Sequence, residues 1–268
     1  ARARARLHLP GAAAGRGALG ACVSGVLLAL AYPRADLGAL AFVALAPFLL
    51  SLRGAGPSSA LARGYACGAA FFTTLLYWIP GVMETYGGLP APAAWLGLAL
   101  LVFYLATYFA LFAWLLSASW RRYGPLVLAF SPVAWVALEI ARGRLLTGFP
   151  WGLLGYSQYR NTALVQAAAW GGVYAVSFVV LAANAGAALL LLRPAAPRQR
   201  IAGSVLVVLA ALAHAAGLAA LRAGAGQPEG GEIRVAAIQA NVPQDRKWDP
   251  AFREEILEPI FSTMPTTS

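Results

Sequence analysis

Hydrophobic residues in this chain fall in long uncharged blocks, and the charges between the blocks are nearly all arginine. The blocks occupy residues 17–32, 37–52, 64–80, part of 86–120, 123–140, part of 161–192 and 201–221. A helix needs ~20 mainly apolar residues to cross a bilayer. The pattern therefore predicts an all-α polytopic membrane bundle of about seven transmembrane helices. The first two blocks are short for a crossing. They read either as full helices with snorkelling arginines or as a re-entrant hairpin around the tight YPRAD loop.

One apolar stretch does not fit a span. LLTGFPWGLLGYSQY, residues 145–159, contains Gly148, Pro150, Gly152 and Gly155, which would break a helix repeatedly. Irregular backbone this apolar needs a protein surface or the membrane interface to lie against. Phe149, Trp151, Tyr156 and Tyr159 are side chains suited to headgroup depth. The stretch reads as an interfacial or re-entrant loop held by the helices before and after it. A second loop, with Trp78, Glu84, Tyr86 and the turn GGLPAP, either faces this loop or forms an ordinary aromatic belt.

Composition agrees with the pattern: 60% of residues are hydrophobic and 11% charged, where soluble domains carry roughly 25% charged residues. The net charge of +10 does not point to nucleic acid, because the arginines sit between apolar blocks rather than on one stripe. Instead they orient the chain. With the N-terminus inside, the inner segments hold Arg2, Arg4, Arg6, Arg16, Arg53, Arg63, Arg121, Arg122, Arg193, Arg198 and Arg200, against Arg34, Arg142, Arg144, Arg160 and Arg222 outside. Positive segments stay inside, so the central loop and the C-terminal segment are expected outside. Arg142, Arg144 and Arg160 oppose that rule locally; they either meet lipid phosphates or cap helix ends.

After residue 222 the character changes. A Gly-rich linker, 223–232, follows the membrane part at 1–222. Residues 233–268 then read as the incomplete start of an α/β domain. IRVAAIQANV has strand alternation, and Asp249-Pro250 is a helix start followed by the apolar positions Phe252, Ile256, Leu257 and Ile260. So short a segment is below the ~40 residues at which a core usually stands alone.

Candidate chemistry is sparse. Glu139 is the one acid inside or at the end of a span, which makes it a functional candidate. Its position three residues before Arg142 equally suits a paired, half-solvated carboxylate. Ser157 in GYSQY lacks the second glycine of a nucleophile elbow and has no His or Asp partner in view. Cys22 and Cys67 lie in apolar blocks without the cationic neighbour that a thiolate needs. His8 and His214 do not form a metal-binding cluster with other ligands, and neither a metal nor another cofactor is expected.

The order of these pieces resembles bacterial apolipoprotein N-acyltransferase. The resemblance rests on YGGLPAP, on WVALEIARGRLLTGFPWGLLGYSQY and on RVAAIQANVPQDRKWDP, and covers nearly all of residues 17–258. It implies a multi-pass protein of the bacterial cytoplasmic (inner) membrane carrying an outward-facing nitrilase-like domain. It further implies transfer of an acyl chain from a phospholipid donor, through a cysteine thioester, to the α-amine of an apolipoprotein's diacylglyceryl cysteine. The family's catalytic Glu, Lys and Cys would lie beyond Ser268, so no catalytic residue carries over, and the chain is expected to be a truncated form, inactive alone. Lys247 belongs to the KWD motif and does not match the catalytic lysine. What carries over is the lipid-facing part, with Glu139, Arg142, Phe149, Pro150, Trp151, Tyr156, Ser157 and Gln158 as lipid- or substrate-path candidates. Two other readings stay open: the lipid-binding half of a split enzyme, and a transporter, which would show inverted repeats and broken helices at mid-membrane.

Overall fold

The computed structural model describes residues 10–193, 195–224, 237, 239, 241–244, 246–247 and 249–262. Among them the regular structure is helical and there are no strands. The helices are α1 (Pro10–Ala29), α2 (Ala46–Ser51), α3 (Pro57–Leu76), α4 (Ile79–Thr85), α5 (Ala91–Tyr123), α6 (Ser131–Arg142), α7 (Thr162–Val165), α8 (Ala168–Leu191), α9 (Pro197–Arg222) and α10 (Arg253–Ser262). Three helical runs are long and apolar enough to cross a membrane: Ala91–Arg142, Ala168–Leu191 and Pro197–Arg222. The pair α3 and α4, bent by 45°, would make a fourth as one broken span. The expected strand at 233–242 lies almost wholly outside the described residues, as do the basic tail before Pro10 and most of the linker.

Prolines start several helices. Pro47, Pro57, Pro92 and Pro197 stand in the first turns of α2, α3, α5 and α9, where the missing N–H has no intrahelical partner to lose. Gly124, at φ +56, ends α5 in a conformation open to glycine, with Arg121 and Arg122 in the last turn beside the exposed carbonyls.

The bundle is built on α3, which packs against α1 on one side and α5 on the other. Small residues allow the approach. A Cβ on Gly68 would come within 2.9 Å of both Ala106 Cα and Phe109 Cβ on α5. Because lipid is as apolar as the helix surfaces, close packing has to supply the association. Aromatic rings fill the core: Phe109 meets Phe72 edge-on at 5.7 Å. Trp135 of α6 packs edge-on against Phe109 at 4.8 Å and Phe112 at 5.0 Å. Each such pair contributes about 1 kcal/mol beyond burial. The contacts of Trp135 fold α6 back along the middle of α5.

The second apolar block is not one helix. A 3-10 turn, Gly38–Phe42, is separated from α2 by an irregular step. Pro47 explains it, since its ring would clash with the carbonyl four residues earlier, at Val43. The interrupted backbone is repaired from α8. Asn184 Oδ1 accepts from Leu45 N at 2.8 Å, and Asn184 Nδ2 donates to Ala41 O at 2.7 Å and to Val180 O at 2.9 Å. Leu45 N and Ala41 O would bond each other in a continuous helix, so one carboxamide stands in for that bond. Ser24 Oγ, on α1, accepts from Phe48 N at 2.9 Å.

At the chain's other long connection, the expected helix start at Asp249 is present: its carboxylate accepts from Ala251 N at 2.9 Å, ahead of a short 3-10 turn and α10.

Replacing Asn184 with Leu strips the partners from Leu45 N and Ala41 O in an apolar interior. Each bare group costs roughly 1–3 kcal/mol. The variant should unfold at a clearly lower temperature in detergent, followed by circular dichroism; an unchanged midpoint would contradict this account of the break.

Candidate functional site

The central stretch leaves α6 through a strained turn. Leu146 and Thr147 have φ of +50° and +71°, and Gly148 follows at +82°. Left-handed non-glycine residues cost about 1 kcal/mol or more each and persist only where their surroundings hold them. Here Gly148 N donates to Leu145 O and Phe149 N to Arg142 O, both at 2.9 Å. Gly148 packs so closely on the Gly143 carbonyl that a Cβ has no room. The chain then turns inward: Leu153, Leu154, Gly155, Ser157 and Gln158 are buried, while Pro150, Trp151, Tyr156 and Tyr159 remain exposed.

Buried polar groups from three helical segments receive this irregular backbone. Glu139 Oε1 accepts from Leu154 N at 2.6 Å and from Trp135 Nε1 at 3.0 Å. Ser177 Oγ on α8 accepts from Gly155 N at 2.8 Å. Arg142 Nη2 donates to Gly152 O at 3.3 Å. Tyr32, just past α1, donates its hydroxyl to Leu153 O at 2.9 Å. Ser157 Oγ donates to Leu154 O at 2.7 Å, and Gln158 Nε2 reaches Gly38 O at 2.8 Å. Ser157 and Gln158, taken from the sequence as path residues, thus brace the loop from inside.

The pairing of Glu139 with Arg142 needs correction. Neither is half-solvated: they are 4% and 2% exposed. No contact within 4.0 Å joins them. The carboxylate is drawn to the Leu154 amide, while the guanidinium lies over the Phe72 ring at 5.1 Å. The two residues share a small void of about 20 Å³ walled by Tyr108, Phe109, Phe112, Trp135 and Leu138. Glu139 Oε2 and Arg142 Nη1 have no hydrogen-bond partner, and a void of this size has room for one water.

Above this floor lies a larger cavity of about 500 Å³. The turn after α1, the end of α3 and the central loop form its walls, with Tyr32, Arg34, Leu75, Tyr77, Trp78, Trp151, Gly152 and Tyr156 among the lining residues. Trp151 stacks on Trp78 with ring centroids 5.5 Å apart and planes 26° apart, and Phe149 packs against Trp151 at 5.6 Å. The second aromatic loop therefore does meet the central one, through Trp78. Arg160 pairs with Asp36 at 2.7 Å and ties the far end of the loop to the same turn. Asp36 and the Tyr159 hydroxyl both favour the charged form of Arg160. The Arg160 side chain is largely exposed, so the pair's contribution is small.

Among the described residues no three His, Cys, Asp or Glu side chains gather. Cys67 is buried, and Cys22 contacts the Ala66 carbonyl at 4.0 Å. The arrangement is suited to binding: an apolar cavity with aromatic walls, one arginine at its rim and a backbone fixed from below. Sequence reasoning missed Asn184, Ser177, Ser24 and Tyr32. The first three are polar residues inside apolar blocks, the same signal that singled out Glu139.

Residues 24–186 match the family described as Apolipoprotein N-acyltransferase N-terminal domain. The chain is similar to the apolipoprotein N-acyltransferase of Geobacter metallireducens, 41% identical over 240 residues, covering 88% of this chain and 45% of that protein. The Azotobacter vinelandii and Pseudomonas syringae pv. tomato proteins of the same name are each 40% identical, covering 87% of this chain and 45% and 46% of theirs. The chain thus spans about half the length of the curated relatives it matches.

Glu139→Leu removes the acceptor for Leu154 N and leaves Arg142 buried without a counter-charge. A loss of roughly 2–3 kcal/mol is expected, with faster proteolysis within 145–159. Glu139→Gln keeps an acceptor oxygen and should lose much less. Equal melting of the two variants would show that the loop is not anchored there.

Proposed function

The chain belongs to the apolipoprotein N-acyltransferase N-terminal domain family, and from that premise we propose that it is the membrane part of a phospholipid-to-apolipoprotein N-acyltransferase. In this reading it serves lipoprotein maturation in the bacterial inner membrane. It presents the acyl chain of a phospholipid to a nitrilase-like domain that begins after the linker. The Cys thioester and its transfer to the apolipoprotein amine belong to that domain.

The topology we propose has seven passes, with the tail before α1 inside and the central loop outside. Two features support it. At ~1.5 Å per residue the 33 residues of α5 extend about 50 Å, already more than the ~30 Å hydrocarbon core. The packing of Trp135 onto Phe109 and Phe112 supports reading α6 as a separate return pass within the run Ala91–Arg142. In this topology the first two blocks are two short passes, α1 the first and the broken Gly38–Ser51 stretch the second.

The observation that carries the functional reading is the Trp78–Trp151 stack over an apolar cavity of about 500 Å³. A pocket of this size and lining takes an alkyl chain. Trp151, Phe149 and Tyr156 form the path for that chain. Glu139, Arg142, Ser157 and Gln158 act beneath it as positioning residues, and Pro150 sets the turn between Phe149 and Trp151.

Replacing by Ala the residue that matches Trp151 in a full-length relative should lower acyl transfer about tenfold or more, the equivalent of ~1.4 kcal/mol. Membrane insertion should be unaffected. Turnover assayed with phospholipid and a diacylated lipopeptide decides the matter, and an unchanged rate would remove Trp151 from the path.

A further inference from the structure

Arg34 occupies a place that its own backbone disfavours. Its φ is +91° and that of Asp36 is +58°, both in the left-handed region, where a side chain normally costs free energy. The turn is held in spite of this. Asp36 N donates to Tyr32 O at 2.9 Å and Leu37 N to Leu30 O at 3.0 Å, while the Asp36 carboxylate is fixed to Arg160. The result is that the Arg34 guanidinium stands over the Tyr77 ring, 4.8 Å from its centroid, on the wall of the 500 Å³ cavity. A ring face attracts and orients a cation without neutralising it.

The charges around it are otherwise spoken for. Asp36 is engaged by Arg160, and Arg142 lies buried below, bonded to Gly152 O. Among the described residues no carboxylate lies within 4.0 Å of Arg34. Ala29, Leu30, Leu75, Leu76 and Gly152 are among the apolar parts of the same cavity wall. A ligand that complements this has an anion at one end and an alkyl chain at the other.

We propose that Arg34, held on Tyr77, binds the phosphodiester of a glycerophospholipid whose acyl chain lies in the cavity under Trp78 and Trp151. The planar guanidinium offers parallel N–H donors to two phosphate oxygens. This rests on the reading of the cavity as the donor path and adds which end of the lipid is gripped, and by what.

The test is lipid retention by this chain in detergent micelles, measured by native mass spectrometry. The probes are dioleoylphosphatidylglycerol, dioleoylglycerol and inorganic phosphate. The first variant is Arg34→Gly, because glycine adopts φ +91° freely and should fold at least as well; Arg34→Lys is the second. Arg34→Gly should weaken phosphatidylglycerol retention about tenfold and leave dioleoylglycerol retention unchanged, with Arg34→Lys between the wild type and Arg34→Gly. Equal phosphatidylglycerol retention by wild type and Arg34→Gly overturns the proposal. Displacement of the lipid by millimolar inorganic phosphate also overturns it, in favour of a free-phosphate site. The readout is binding and not turnover. An Arg34-dependent lipid alongside unchanged transfer in the Trp151 experiment would sink the donor-path reading and leave the headgroup site standing.

Discussion

A single side-chain amide in the middle of the bundle decides what the first half of this protein can do. Asn184 sits between Ala41 O and Leu45 N and bonds each of them, in place of the single bond they would make with each other in a continuous helix. In lipid a backbone polar group has no water to turn to, so irregular chain survives only where protein supplies the partner. Pro47 forbids a continuous helix there, and Asn184 makes the break affordable. The break keeps the Gly38–Ser51 arm short and folded against α8.

The same constraint acts again at the central loop, with more partners because more backbone is irregular. Glu139, Ser177, Tyr32 and Arg142 each take one or two groups between Gly152 and Gly155. A buried carboxylate is a costly way to satisfy one amide. It makes sense here because the Leu154 amide and the indole of Trp135 converge on the same oxygen, and Arg142 lies nearby on the same helix face. The two are thus organised around the loop, Glu139 tied to Leu154 and Arg142 to Gly152 rather than to each other.

The helical membrane character and the order of helical segments were legible from block length and arginine placement alone, because both follow from the thickness of the bilayer. The central loop was legible from its glycines and from Pro150, which exclude a helix whatever surrounds them. Trp151 and Phe149 stood out as large aromatics in a loop that cannot bury itself. The rest was not legible for a definite reason. Whether Glu139 would pair with Arg142, three residues away, or with an amide fifteen residues on depends on tertiary geometry, and spacing on a helix registers only the first option. Ser157 and Gln158 looked outward by motif, yet their polar atoms serve Leu154 O and Gly38 O. The role of Arg34 was hidden because a positive φ leaves no mark on an arginine codeword in the way that it does on glycine.

These two layers suggest why the aromatic groups around the cavity can remain exposed. Trp78, Trp151 and Tyr156 keep 38%, 50% and 45% of their surface free, which on a mobile loop would invite collapse onto the nearest apolar wall. Their backbone is instead fixed from beneath by Tyr32 and Glu139, and from the side by the Arg160–Asp36 pair and by Gln158 on Gly38. All of those ties except the Glu139 bond join segments about 120 residues apart in sequence. With the backbone already ordered, a chain-like ligand has only side-chain rotamers left to organise when it enters, and the entropy cost of binding falls accordingly. The buried polar groups therefore fix the backbone of the loop that walls the cavity.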